Sequence, residues 1–112
     1  MTPARVVLSA AARARVAALR LHGGAGALVL DADGRLHAVG GGFTPGPGHV
    51  PLGCAAGVPC YVAAARYAAL ARHRLLIDVA GADGFACRAE PLSAQELVLL
   101  RRLPGAGGEG AA

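Results

Sequence analysis

The chain has no lysine, no asparagine and no tryptophan, and only two phenylalanines and two tyrosines. The eleven basic residues are therefore all arginine. With so much Ala and Gly, that usage fits the codon bias of a GC-rich bacterial genome, not a recognition chemistry. The net charge of +4 is mild, and no basic run exceeds a pair such as Arg101-Arg102. Nucleic-acid readers need a basic stripe or aromatic platforms on which bases stack. This chain has neither, so the arginines read as solvated faces and nucleic acid is not an expected partner. No apolar run reaches the roughly 18 to 20 residues that span a bilayer, so no membrane is expected either. Arg13 and Arg15 break the hydrophobicity of the N-terminal segment, which argues against a secretory signal and for the cytoplasm. Three cysteines, an odd number, do not suggest a disulfide framework.

What is present is apolar. Of the 112 residues, 54% are hydrophobic, enough for one domain with a real core. A helix is expected over Leu8–Leu21, with Ser9 as its N-cap and Ala11, Ala12, Val16 and Leu19 on the apolar face. The glycines of HGGAG then end it. ALVLDADGRLHAV reads as a hairpin about Asp33-Gly34. Gly40–Pro51 is too rich in Gly and Pro to be a central strand. Pairing resumes about Leu52-Gly53, and Val58–Val62 is a short strand that Pro59 marks as an edge or a strand start. A helix over Ala63–His73, with Tyr67 and Leu70 inward, leads to a central strand Leu75–Val79, a turn Ala80–Gly84 and a strand Phe85–Ala89. At the end, Ser93 and Glu96 have capping-box spacing, while Val98, Leu99 and Leu100 would also suit a strand. The expected fold is α+β: a small mixed, mainly antiparallel sheet packed by an N-terminal helix and a short second helix. Residues 1–103 form the domain, and the Gly/Ala-rich tail 104–112 is expected to be disordered.

Candidate chemistry is sparse. His49, Cys54, Cys60 and Cys87 are the residues that could hold zinc or iron. Five residues separate Cys54 from Cys60, more than a zinc knuckle uses, and a lone cysteine is more often a small core hydrophobe. His22 and His73 follow predicted helices, where the helix dipole favours them, and His37 faces solvent from a strand. The Gly-rich segments lack the residues that complete a phosphate loop, and DADG lacks the rest of a calcium loop. Among the carboxylates Asp31, Asp33, Asp78, Asp83, Glu90, Glu96 and Glu109, Asp78 stands out because it follows Leu75-Leu76-Ile77 in the central strand. It either faces water or has a role. Ser9 and Ser93 are better explained as caps than as nucleophiles. The weak catalytic candidates are Asp78, His49 and Tyr61, with the Gly40–Pro51 loop lining a pocket. The chain is not expected to need a cofactor.

Gly57 and Pro59 followed by Tyr61, then Tyr67, the run Leu75-Leu76-Ile77-Asp78-Val79 and Gly84-Phe85 resemble the second half of the uncharacterised domain-of-unknown-function 779 family. The likeness covers roughly residues 5–103 and is weaker before Gly53. The element order also looks like the HesB-type scaffold of iron–sulfur biogenesis. Members of the 779 family are often encoded beside aldehyde or alcohol dehydrogenases. The resemblance thus implies a small accessory protein with a dehydrogenase as partner. The family carries a Gly-Gly-Cys-Cys-Asp-Gly segment after its first strand. Here that region reads DADGRLHAVGGGF, with Phe43 where sulfur would be, and Cys54, Cys60 and Cys87 stand elsewhere. The resulting expectation is a non-catalytic accessory protein that has lost the cysteine cluster. The alternatives are a metal or redox module and a small-molecule-binding protein or enzyme. A homodimer is compatible with an exposed edge at Pro59 and the apolar composition.

Overall fold

The computed structural model describes residues 4–82 and 84–102. Expectations for Asp83 and for the tail lie outside those residues. The fold is α+β, and its strands form two sheets where one was expected. The first contains β1 (Val6–Leu8), β6 (His73–Ala80) and β7 (Gly84–Pro91) in the order β1-β6-β7. The second contains β2 (Ala27–Leu30), β3 (Leu36–Val39), β4 (His49–Ala55) and β5 (Val58–Ala63) in the order β3-β2-β5-β4. Two pairings are parallel, β1 with β6 and β2 with β5, and the other three are antiparallel. The sheet borders meet, β1 against β4 and β7 against β3, so the two sheets wrap one core. No helix among the described residues is long and apolar enough to cross a membrane.

Helix α1 (Ala10–Leu21) has the expected N-cap, Ser9, whose Oγ accepts the Ala12 N–H at 3.1 Å. Ala12 and Val16 are fully buried and Leu19 partly, while Ala11 is exposed. Gly23, at φ 73°, ends the helix as its N–H and that of Gly24 reach back to Arg20 O and Leu19 O. Leu8, expected in the helix, belongs to β1 instead. Its three-residue strand pairs Val6, Val7 and Leu8 with Leu75, Leu76 and Ile77.

The hairpin β2–β3 turns at Asp31–Gly34, where Asp31 Oδ1 accepts the Asp33 and Arg35 N–H groups. β4 begins earlier than expected and contains Pro51, with a register shift between Pro51 and Gly53. Pro51 is tolerated because β4 is a border strand. β5 is not an edge: it lies between β2 and β4, and pairing with β2 begins at Cys60, one residue past Pro59. The missing N–H of Pro59 therefore costs no ladder bond with β2. The second helix is shorter than expected. α2 (Ala64–Tyr67) tightens into a 3₁₀ turn over Ala68–Leu70, and His73 opens β6. At the end the capping box decides for helix. Ser93 Oγ accepts the Glu96 N–H, and Glu96 Oε1 accepts the Ser93 N–H, opening α3 (Ala94–Arg102).

Candidate functional site

β6 alternates between the core and the outside. Leu75 and Ile77 are almost fully buried, while Leu76 is half-buried and Asp78 exposed. The register carries the alternation across the sheet. Val7 is opposite Leu76, Leu76 is opposite Arg88, and Asp78 is opposite Ala86. The outer face is a shallow groove of about 460 Å³, lined by Val7, Ser9, Leu76, Asp78, Ala86 and Arg88. On the same face, beyond Leu76, Arg74 pairs with Glu90 at 3.1 Å and with Glu96 of α3, and its Nε donates to Ala4 O.

Asp78 is held firmly. Its Oδ1 accepts the Ser9 hydroxyl at 2.7 Å and the Val79 N–H at 2.8 Å. Those two bonds, Ser9 first, hold its carboxyl below the ordinary 3.8. The same Ser9 hydroxyl caps α1, so carboxylate, hydroxyl and helix start form one chain of hydrogen bonds. A serine beside a carboxylate suggests an activated nucleophile, but the chemistry runs the other way. A carboxylate of lowered pKa is a poor base, and no imidazole stands between the two groups.

The other candidates are dispersed. His49 and Tyr61 come together on the outer side of the four-stranded sheet, through Phe43. The Phe43 ring lies edge-on to His49 at 5.4 Å and tilted on Tyr61 at 5.9 Å. His49 Nδ1 accepts the Gly46 N–H at 3.0 Å, which pins the loop. The groove thus lies on the opposite sheet from the Gly40–Pro51 loop that was expected to line a pocket. Cys60 is fully buried in the core, Cys87 is half-buried opposite Ile77, and Cys54 is exposed. Burial, followed by the nearby Cys87 and Cys54, pushes the Cys60 thiol up to about 12, and burial raises Cys87 as well. Thiols held protonated are poor nucleophiles and poor metal ligands. Among the described residues no three His, Cys, Asp or Glu side chains are grouped to hold a metal, so His49, Cys54, Cys60 and Cys87 do not form such a group.

Of the remaining histidines, His22 is the C-cap of α1 as expected, and His37 bonds Asp31 at 2.9 Å from an exposed position. His73 is the exception: its Nδ1 is buried without a partner. Sequence reasoning found Asp78 but not Arg88 or Leu76 as its neighbours. The alternation of Phe85–Ala89 could have flagged Arg88 as outward, but not which β6 residue it faces.

No family model matches the chain, and no curated protein matches it.

Proposed function

We propose that the chain is a small non-catalytic accessory protein that acts by binding another protein. One observation carries this reading. The group best placed for chemistry, Asp78, is fixed by Ser9 and the backbone as part of the scaffold. The other candidates agree with it, since Tyr61 and His49 pack about Phe43 and two thiols are held protonated. The likeness of the Gly57–Phe85 stretch to the 779 family supports an aldehyde or alcohol dehydrogenase as the partner. The test is affinity purification of the tagged chain from its native cells, with identification and quantification of what is retained. A dehydrogenase retained in a stable stoichiometric ratio, and retained equally by Asp78→Asn, is the expected result. A chain that retains no partner but turns over a metabolite, and loses that turnover in Asp78→Asn, would refute the reading.

A further inference from the structure

The outer face of the three-stranded sheet has a symmetry in its chemistry. Four neighbouring positions form a block: Leu76 beside Arg88 on one rung and Asp78 beside Ala86 on the next such rung. The apolar side chains occupy one diagonal and the opposite charges the other. Arg88 is exposed and makes no ion pair among the described residues. Asp78 lines the groove and uses Oδ1 for its bonds to Ser9 and Val79.

The geometry points to a homodimer in which two copies pack this face together. Consider a two-fold axis lying between the faces along the Leu76–Ala86 diagonal. Rotation about it exchanges the other two corners of the block. Each Asp78 then meets the other copy's Arg88, each Leu76 meets its equivalent, and each Ala86 meets its equivalent. A single surface satisfies both charges, as an isologous interface requires. Strands about 4.8 Å apart and a two-residue step of about 6.8 Å put that diagonal roughly 35° from the strands, so the two sheets cross at about 70°. That is near the orthogonal mode of sheet packing. The other copy's Leu76 and the Arg88 stem fill the groove. The two pairs flank the axis, one on each side, and fix register more than they add affinity.

Size sets the strength. Three strands, the longest eight residues, cover roughly 14 Å by 27 Å. That is well under the roughly 800 Å² per partner of a standard interface, so the dimer is a weak one. It requires no accessory role for the chain and neither supports nor excludes one.

Sedimentation equilibrium from about 1 µM to 1 mM tests it, a range that reaches weak association. Wild type is expected to pass from monomer to dimer. Arg88→Asp and Asp78→Arg each place like charges on both sides of the axis and should weaken association about tenfold or more. An equimolar mixture of the two should recover a dimer, because one brings two acids and the other two arginines. Asp78→Arg also breaks the Ser9 link, so Leu76→Glu, which sets two carboxylates on the axis while leaving Ser9 bonded, is the second variant and should be monomeric. A wild type that stays monomeric to 1 mM overturns the dimer. A dimer indifferent to both Arg88→Asp and Leu76→Glu overturns this face as its interface.

Discussion

The two sheets share a core and differ in what covers their outer sides. In the four-stranded sheet, β2 is buried on both faces. Leu28 and Leu30 join the main core, whereas Ala27 and Val29 are buried outside it. Phe43 brings the Gly-rich loop onto that outer side, over Tyr61 and His49. In the three-stranded sheet the alternation is left open, with Leu75 and Ile77 inside and Leu76 and Asp78 outside. A covered face can only stabilise, whereas an open one that mixes apolar and charged groups can also bind. The sheet with the more aromatic decoration is thus the more structural of the two.

The contrast is tested most severely within β6. Ile77→Ala removes a side chain at 2% exposure and should destabilise by roughly 2–5 kcal/mol in urea denaturation. Leu76→Ala, one residue along on the open face, should change stability by under about 1 kcal/mol. Equal effects would mean that the face is covered. The seal on the other sheet depends on Gly26, where a Cβ would lie 2.5 Å from Gly41 Cα. Backbone meets backbone there, so Gly26→Ala should cost on the order of 2 kcal/mol by urea denaturation and loosen the loop. Ser9→Ala removes the cap of α1 and should cost about 1 kcal/mol by the same measurement.

Two smaller effects separate the sheets by chemistry. The Asp78 carboxyl titrates below its ordinary 3.8, so its contribution is present above that value and is lost as pH falls through the lower folded one. Acid titrations of wild type and Asp78→Asn should therefore differ above about pH 3.8 and converge only as pH falls through the lower folded value. The Cys60 thiol, raised to about 12, works in the opposite sense. Its contribution is present below the ordinary 9.0 and is lost as pH rises from there toward 12. Alkylation near neutral pH, followed by peptide mass mapping, should label Cys54 first, Cys87 slowly and Cys60 only on unfolding.

Local signals in the sequence read correctly. Ser9 caps α1 and Asp33-Gly34 turns the first hairpin, while after Ser93, where helix and strand were both open, the Ser93–Glu96 bonds make a helix. Each is decided within a few residues by hydrogen bonds the sequence names. Long-range pairing did not read out. Val6–Leu8 merges into the apolar front of α1, and only its pairing with Leu75–Ile77 makes it a strand. Pro59 left an edge and a strand start both open; β5 is an inner strand, and Pro59 stands at its start, just before the β2 partner begins. At the site, the outward position of Asp78 was legible from the strand alternation. Its partnership with Ser9 was not, because the two lie 69 residues apart and meet only through the parallel pairing of β1 with β6. Likewise Arg88 faces Leu76 only because of the register that the turn after Ala80 imposes.

Amide chemical shifts followed as the protein is concentrated from micromolar to millimolar test the difference between the sheets most directly. The expected changes fall on Val7, Leu76, Asp78, Ala86 and Arg88 and leave Val29, Tyr61 and His49 unmoved. Shifts confined to the four-stranded sheet, or none anywhere, would contradict the assignment of the open face as the surface through which two copies associate.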